Sequence, residues 1–379
     1  MQKVGIVEVA QSAGTESPLS LMEFTYKPVK ELLDKVGMRR DEVDMYILAS
    51  TDVFHSGMSC ANAFDWDASG AFMKPASREE GDAITAFVYG CMPIMEGRYD
   101  TVLVVGLIKG SENPENDTLT SFVADPFYSR PVGIQETTAA AMQMRLYLQR
   151  YGITEEQCAK VVVKNLGNAL FNPYTHIKKR VSVDDVLNSE RICDPLKALE
   201  CAPKSEGVCA MLLASEEKAK KLTDKPVWFK GWGSSMDTFY LGDRDLLNTQ
   251  LKTAAASAYK MAGVSDPRKE IDVVETCEPY AFQELLWCEQ LGLCAQGQGG
   301  KLIDSGVTQI TGALPVNPSG GVLAMNPYVA RGLYRVAEAA LQIKGKAGEH
   351  QVDKKVNTAL AHSTYGFCGQ WQGVVILGS

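Results

Sequence analysis

A helix followed by a buried strand occurs twice in this chain, and this repetition limits the folds open to it. In the first copy a helical pattern ends at Gly37, and a short polar loop with Asp44 leads into an apolar run. In the second copy the helical pattern ends at Gly263, and Asp272 stands at the start of the apolar run. Glycine commonly ends helices, and short apolar runs are typical of buried strands. Two matched units predict an internally duplicated α/β protein with a site where the halves meet.

Other segments carry weaker local patterns. Ser77 and Glu80 fit a capping box that would open a helix over 83–95. The stretch 55–72 is rich in glycine, serine and aromatic residues, and we predict a loop there. Helices are further predicted at 19–36, 137–151, 154–170, 251–262, 283–291 and 334–343. Strands are predicted at 4–7, 45–49, 101–106, 208–214, 227–231, 271–275, 355–362 and 373–377.

The composition argues against several kinds of partner. The chain has 379 residues and a net charge of -8, and its pI near 5.3 argues against nucleic acid and anionic membranes. Since no apolar run reaches the roughly 18 residues of a membrane helix and no signal peptide is evident, we expect a cytoplasmic protein. The ten cysteines include no CxxC pair and no Cys/His pair at zinc spacing. We therefore expect reduced thiols and no metal in this chain.

Cys277 is the first candidate for chemistry. It follows the apolar run 271–274 and stands beside Glu278, in a turn that leads into a helical pattern. The end of a buried strand is a common place for a site in an α/β fold. The alternative is a cysteine that only packs, because free cysteines are among the most buried residues. The irregular stretch 110–135 contains three prolines and predicts a functional cover.

Several short motifs together point to a family. They are Asn172-Pro173-Tyr174, Asp194-Pro195-Leu196, Ser205-Glu206-Gly207-Val208-Cys209-Ala210 and, most specific, Leu314-Pro315-Val316-Asn317-Pro318-Ser319-Gly320-Gly321. In their order and spacing the chain resembles the thiolase superfamily over nearly its whole length. The resemblance is strongest to the branch of the sterol-carrier-protein-x thiolases, which is acetyl-CoA acetyltransferase-like, and it extends to the thiolase subunit of benzoylsuccinyl-CoA thiolase-type complexes.

The resemblance implies a five-layer α-β-α-β-α thiolase fold built from two similar halves. The N-terminal half would span 1–225, with a loop domain inserted at about 111–205, and the C-terminal half would span 226–379. It also implies coenzyme A as a substrate, a homodimer, and a small partner subunit with a zinc ribbon and an OB-fold.

The active-centre loops depart from the family pattern. Counting back from the strand at 101–106 brings the nucleophile position to Glu79 and Glu80, where there is no cysteine. Cys91 lies within the predicted helix, and Cys60 lies well upstream. Asn326 stands where the family has its histidine base, and Cys277 stands at the Asn/His position of another loop. Cys368 falls within one residue of the family's second cysteine.

Thiolysis needs a nucleophile, donors for the thioester oxyanion and a base. The resemblance brings the loops of Cys277 and Cys368 together, so that one thiol could carry the acyl group and the other act as base. Glu278 is a candidate base or a residue that orients its loop. Asn326 can donate a hydrogen bond to an oxyanion but cannot carry a proton.

Two other functions remain open. Some relatives are retro-aldolases that use tyrosines in place of the cysteine, and Tyr280, Tyr328 and Tyr365 all lie on active-centre loops. Each could equally be aromatic packing. A third possibility is a non-catalytic subunit that binds coenzyme A or assembles a complex.

Binding of coenzyme A is expected from basic and polar residues, of which Ser205 matches a family position near the pantetheine. The basic run 177–180 and the cover supply cations for the nucleotide phosphates, and a solvated basic turn is the alternative. The candidate residues are Arg130, Lys178, Arg180, Ser205, Asn317 and Gly320. A bulky or aromatic acyl group is suggested by a set of aromatic residues: Tyr280, Phe282, Tyr328, Phe367 and Trp371.

Overall fold

The duplication is visible in the order of the strands. The computed structural model describes residues 2–12, 14, 16–54 and 62–379. Nine strands form one sheet: β1 (Val4–Gln11), β2 (Met45–Ala49), β3 (Ala76–Glu79), β4 (Thr101–Ile108), β7 (Gly207–Ser215), β8 (Val227–Met236), β9 (Val273–Glu275), β10 (Thr358–Tyr365) and β11 (Trp371–Gly378). Their order is β3-β2-β4-β7-β1-β8-β11-β10-β9. β1 and β8 are neighbours at the centre of the sheet. Outward from each of them, the next two strand pairs are antiparallel and the third is parallel.

The helices cover both faces of this sheet. They are α1 (Leu21–Val36), α2 (Asn62–Ser69), α3 (Ala83–Met95), α4 (Asn116–Ser121), α5 (Glu136–Tyr151), α6 (Glu155–Ala169), α7 (Val183–Leu187), α8 (Glu216–Leu222), α9 (Leu251–Ala262), α10 (Pro267–Glu270), α11 (Ala281–Gln290), α12 (Gly299–Asp304), α13 (Gly321–Ala324) and α14 (Arg331–Lys344). The short strands β5 (Arg191–Cys193) and β6 (Leu196–Lys197) pair with each other between α7 and β7.

The two aspartates of the repeated unit make equivalent hydrogen bonds in the two halves. Asp44 Oδ2 accepts the backbone N–H of Thr101 at 2.9 Å, at the start of β4. Asp272 Oδ2 accepts the backbone N–H of Thr358 at 3.0 Å, at the start of β10. Each carboxylate thus joins one strand of a parallel pair to the next. The helices before them end at Gly37 and Gly263, with φ of 73° and 75°. The predicted duplication is confirmed.

The central layer decides where the site lies. α3 and α14 pack against each other and contact strands from both halves. α1 and α8 cover the outer face of the first half, and α9 covers that of the second. The two halves of the one continuous sheet thus lie on either side of α3 and α14, and the five layers are helix, sheet, helix, sheet, helix, as predicted. Every residue of α14 is buried.

The segment between β4 and β7 contains the helices α4 to α7 and the strands β5 and β6. The boundary between the two halves at 225 and the limits of the inserted loop domain at about 111 and 205 stay predictions.

Two local predictions are wrong. Ser77 does not cap a helix, because Ala76–Glu79 pairs in parallel with β2 as an edge strand. The cap of α3 is Asp82, whose Oδ1 accepts the N–H of Ile84 at 3.0 Å. Glu79 and Glu80 therefore precede the helix that counting had placed there. The predicted loop 55–72 contains the helix α2, which packs on α1; the part that holds His55 and Cys60 lies outside the described residues.

Other local predictions hold. The helix predicted at 154–170 is α6, which a capping box of Thr154 with Gln157 opens, and α9 begins and ends where its apolar pattern does. Within the described part of the chain, no helix is long and apolar enough to cross a membrane.

Candidate active site

Arg331 is the centre of a buried polar cluster between the two halves. It begins α14, and its side chain is only 1% exposed. Its Nη2 donates to the carbonyl of Thr364 at 2.7 Å, and its Nη1 lies 3.5 Å from Asn326 Oδ1. The guanidinium lies over the ring of Tyr328, 4.2 Å from the centroid. A cation in such a position can stabilise an oxyanion or enolate, because little water screens its charge.

Asp82 faces Arg331 from the start of α3. Its Oδ2 is 3.8 Å from Arg331 Nε and accepts the hydroxyl of Ser363 at 2.7 Å. Burial raises the pKa of Asp82 to about 6, and Arg331 opposes the rise. Gly332 permits this approach: a Cβ at that position would lie 1.8 Å from Asp82 Oδ1. The helix start where the resemblance to thiolases placed a cysteine thus carries a carboxylate here.

Tyr328 and Glu136 form a second pair in the cluster. The carboxylate of Glu136 acts on the hydroxyl of Tyr328 and helps to raise its pKa. Burial raises the pKa of both groups, while Arg331 acts against the rise in each. Tyr365 packs edge-on against Tyr328, with ring centroids 6.2 Å apart. Such a pair can hold a proton next to Arg331 and release it to a substrate.

Cys277 stands on the other side of Arg331, just after β9. Its thiol is fully buried, and burial raises its pKa to about 11. The charge of Arg331 acts against this rise, and the backbone N–H of Thr364 adds a hydrogen bond to the sulfur. Trp287 Nε1 donates to the Cys277 carbonyl at 3.0 Å, which fixes the turn. Cys277 is therefore a thiol held beside a buried cation.

A cleft of about 230 Å³ opens next to these groups. Glu136, Asn326 and Tyr280 lie in its walls, and the Tyr280 hydroxyl is 2.9 Å from Thr137 Oγ1. Of the five aromatic residues predicted to line an acyl pocket, Tyr280 lies in this cleft. The other four pack against apolar clusters: Phe282, Tyr328, Phe367 and Trp371. The wall next to the cluster is thus mainly polar.

Comparison with known proteins identifies the family. Residues 233–379 match the model of the thiolase C-terminal domain-like family. An acetyl-CoA acetyltransferase of Methanothermobacter thermautotrophicus is 33% identical over 293 residues, which cover 76% of this chain and 76% of that protein. This chain belongs to the thiolase family. The benzoylsuccinyl-CoA thiolase subunit BbsB of Thauera aromatica is 30% identical over 239 residues, 62% of each chain.

Two solved structures share this thiolase fold, and their names describe two different reactions. The Ltp2-ChsH2(DUF35) aldolase superimposes with a TM-score of 0.86 at 21% identity, over 100% of this chain and 98% of that one. Human mitochondrial 3-ketoacyl-CoA thiolase superimposes with a TM-score of 0.74 at 16% identity, over 100% and 99%. At these identities the likeness concerns the fold alone.

Within this thiolase fold, Cys368 lies away from Arg331. Its Sγ donates to the carbonyl of Ala139 at 3.2 Å, and it packs in an apolar cluster with Ala124 and Phe367. Burial raises its pKa to about 12, although Arg244 acts against the rise. The hypothesis that Cys277 and Cys368 act together as acyl carrier and base stays a prediction. The different surroundings of the two thiols do not favour it.

Glu278 and Asn317 accept hydrogen bonds from backbone N–H groups in and around the Cys277 turn. Glu278 Oε1 accepts the N–H of Val322 at 3.0 Å, and burial raises the pKa of Glu278 to about 8. Asn317 Oδ1 accepts the N–H of Thr276 at 2.7 Å. Gly320 has φ of 100°, a value that a residue with a Cβ adopts rarely. These contacts suit loop-positioning roles better than contact with substrate.

The residues predicted to bind coenzyme A are scattered. Arg130 donates to the carbonyls of Ser121, Phe122 and Ala124, and Lys178 donates to those of Ala169 and Asn172. Their donors therefore already have acceptors. Arg180 is exposed in a cleft of about 460 Å³. Ser205 Oγ accepts the N–H of Asn326 at 2.8 Å, so it supports the active-centre loop. Their roles with coenzyme A stay predictions.

His362 was missed by the sequence analysis, although it lies directly below Cys277. Its Nδ1 faces the N–H of Cys277 at 3.4 Å, and its Nε2 is 2.7 Å from Gln372 Oε1. The amide N–H needs an acceptor, so Nδ1 is unprotonated and Nε2 donates. Burial lowers the pKa of His362 to about 4. The ring supports the turn as a neutral group.

Because His362 is buried and neutral, we expect the fold to lose stability in acid. In the unfolded chain its pKa is 6.5, so between about pH 6.5 and pH 4 only the unfolded state takes up this proton. The contribution of neutral His362 to the free energy of unfolding is fully present above about pH 6.5. It is lost as the pH falls towards 4, by about 3 kcal/mol in total. Urea unfolding at pH 7.5 and pH 5 should show a smaller pH effect in His362→Gln than in the wild type. Equal pH effects in the two proteins would disprove this assignment.

Proposed function

We propose that this chain is a thiolase-type acyltransferase that cleaves or forms the carbon–carbon bond of a β-ketoacyl-CoA, with Cys277 as the acyl carrier. One observation carries the proposal: the Cys277 thiol stands just after β9 in the field of the buried Arg331, whose charge acts to lower the pKa of the thiol. Burial keeps most of this sulfur protonated at neutral pH, and the cation stabilises the thiolate, which is the form that attacks. Membership of the thiolase family agrees with acyl transfer.

The steps can be written on these residues. The Cys277 thiolate adds to the β-carbonyl carbon, and the bond to the α-carbon breaks with its electron pair passing to a thioester enolate. Arg331 and the Asn326 amide stabilise the enolate oxygen, and Tyr328 gives the α-carbon a proton. The thiol of coenzyme A then returns a proton to Tyr328 and attacks the acyl-enzyme thioester, which releases Cys277 as thiolate.

Mass spectrometry of the acylated protein tests this proposal. After incubation with acetoacetyl-CoA and with an aromatic β-ketoacyl-CoA, we expect an acyl adduct that maps to the peptide containing Cys277. Cys277→Ser should abolish the adduct and thiolysis. Cys368→Ser is the matched control, since that thiol lies in an apolar cluster, and it should keep the adduct. An adduct on Cys368, or thiolysis by Cys277→Ser at the wild-type rate, would refute the assignment.

A second candidate, the retro-aldol cleavage of a β-hydroxyacyl-CoA, is favoured by the interaction of Tyr328 with the Glu136 carboxylate, which borders the cleft. The Glu136 carboxylate would take the β-hydroxyl proton through the hydroxyl of Tyr328, and Arg331 would stabilise the enolate that leaves. This reaction needs no free coenzyme A and forms no acyl-enzyme. Release of an aldehyde or ketone without added coenzyme A, and without an adduct, would replace the first proposal with this one. No turnover with either substrate would support a non-catalytic subunit.

The acyl group and the partners are inferred from relatives. The name of the Thauera aromatica relative makes an aromatic acyl-CoA the first substrate to test, and Tyr280 is the aromatic residue of the cleft wall that could meet it. That relative is a subunit, and one solved neighbour is named for two components. We infer a homodimer that takes up a small zinc-ribbon/OB-fold partner. Turnover of acetoacetyl-CoA as good as that of any aromatic substrate would contradict the aromatic assignment.

A further inference from the structure

A second cleft lies behind the loop that holds Asn326. It has a volume of about 350 Å³, and His176, Lys204 and Ser205 lie in its walls. The cleft beside the Arg331 cluster is lined by Asn326 and also by Lys204. Residues 204 and 205 therefore form a partition between the two clefts, with His176 on one side and Asn326 on the other.

A chain of hydrogen bonds crosses this partition. Ser205 Oγ accepts the backbone N–H of Asn326 at 2.8 Å and lies 3.1 Å from His176 Nε2. In either tautomer of the ring, one proton lies between Nε2 and Oγ, and the hydroxyl oxygen keeps a lone pair for the Asn326 N–H. Ser205 is only 4% exposed, so these two neighbours orient its hydroxyl. His176 therefore fixes the group that holds the Asn326 N–H.

The segment of His176 also holds this loop through its backbone. The N–H of Ile177 donates to the carbonyl of Ala324 at 3.2 Å. Pro327 has no N–H to offer a further anchor. Gly207 packs closely on that proline, since a Cβ at position 207 would lie 2.6 Å from the Pro327 Cβ. The loop 324–327 thus has fixed neighbours on both sides, and the Asn326 N–H depends on the Ser205 hydroxyl.

The position of Asn326 matters because its side chain reaches the Arg331 cluster. Its Oδ1 lies 3.5 Å from Arg331 Nη1. In the proposed acyl transfer, the Asn326 amide stabilises the enolate oxygen. A group with such a role has to be held within about 0.5 Å of its productive position by supporting hydrogen bonds and packing.

We propose that His176 is a positioning residue of the acyl-transfer site, which holds the Asn326 amide in place through Ser205. The inference rests on the proposed function, in which Asn326 stabilises the enolate oxygen. The ring lies on the far side of Ser205 and takes no part in making or breaking bonds.

Two substitutions of similar polarity test this role. In His176→Gln the amide can reach the former place of Nε2, whereas the amide of His176→Asn is too short to contact Ser205. With the better substrate of acetoacetyl-CoA and the aromatic β-ketoacyl-CoA, we expect His176→Asn to lower kcat about tenfold with KM little changed. His176→Gln should keep most of the wild-type kcat. Asn326→Ala should cost less in His176→Asn than in the wild type, because both changes act through one group.

Hydrogen exchange tests the chain of hydrogen bonds independently of activity. Mass spectrometry of the peptide that contains Asn326 should show faster exchange of this amide in His176→Asn and wild-type exchange in His176→Gln. Glu16→Gln is the matched control, because Glu16 is exposed in the same cleft, and it should change neither exchange nor kcat.

Equal exchange in the wild type and in His176→Asn would overturn the proposed chain. Faster exchange with an unchanged kcat, or effects of His176→Asn and Asn326→Ala that simply add, would overturn the positioning role. A wild type without any turnover would refute the proposed acyl transfer itself, whereas the exchange measurement would still decide whether His176 holds Asn326.

Discussion

Replacing Arg331 by methionine is expected to lower kcat/KM for the acyl-CoA reaction by about 100-fold or more. Loss of one buried donor to a developing oxyanion commonly costs about 100- to 1,000-fold in rate. The same guanidinium also opposes the rise in the pKa of the Cys277 thiol. Its loss should therefore raise the pH at which the enzyme acylates, as well as slow the reaction. A kcat/KM profile against pH measures both effects.

The variant has a structural consequence that must be separated from the catalytic one. Arg331→Met leaves Asp82 buried without its cation, and breaking a buried pair costs about 3–5 kcal/mol. Adding Asp82→Asn removes the uncompensated carboxylate, so the double variant should regain stability without regaining activity. Arg331→Lys keeps a charge but loses the planar fork, and we expect intermediate activity. Near wild-type kcat/KM in the folded double variant would show that Arg331 takes no part in the reaction.

Replacing Arg335 by methionine is expected to produce a large loss of stability. Arg335 Nη1 contacts Glu275 Oε2 at 2.6 Å and Ser319 Oγ at 2.8 Å. Its side chain is 4% exposed and that of Glu275 is 0% exposed. We expect the free energy of unfolding to fall by about 3–5 kcal/mol, because a buried carboxylate is left uncompensated. Urea unfolding at neutral pH measures the change.

A double variant identifies the cause. Glu275→Gln with Arg335→Met removes both charges and should be clearly more stable than Arg335→Met alone. Lys220→Met is the exposed control: Lys220 pairs with Glu216 at 2.7 Å but is 60% exposed, so its loss should change stability little. If Arg335→Met were no worse than Lys220→Met, the pair would not support this junction.

The Glu275–Arg335 pair also bears on the active centre. Glu275 precedes Cys277 by two positions, and Ser319 N–H donates to Glu275 Oε1 at 3.1 Å. The pair thus joins α14, the Cys277 turn and the loop 317–321. Where the variant folds, we expect a lower kcat with a smaller change in KM, because the turn would be less ordered while the cleft remains.

α14 is unusual because it is buried along its whole length and still carries polar side chains. Arg331, Arg335, Glu338 and Gln342 follow each other at intervals of four, three and four residues, and so share one face. Each finds a partner in the protein interior: Thr364, Glu275, His350 and the carbonyl at 350. This spacing in an otherwise apolar helix was the sequence signal that could have revealed Arg331.

Much of the fold was decided by local chemistry. Gly37 and Gly263 end helices because a left-handed residue satisfies the last carbonyls, and Asp44 and Asp272 recur because each ties two strands together. Thr154 caps α6 through contacts within one turn. These interactions join residues that are close in sequence or repeat along it, so the sequence by itself determined the duplicated α/β fold.

The site was decided by the tertiary structure. Ser77 carries a capping motif, but pairing with β2 makes its segment a strand, since ladder hydrogen bonds and packing outweigh a single cap. Asp82, Glu136, Tyr328 and Arg331 meet only because α3 and α14 share the central layer and α5 closes over them. Cys277 and Cys368 look alike in sequence, yet Cys277 lies beside the fully buried Arg331 of the polar cluster, whereas Cys368 lies in an apolar cluster near the half-buried Arg244. Charge, burial and pKa depend on neighbours distant in the chain, and for that reason only the folded structure distinguishes the two thiols.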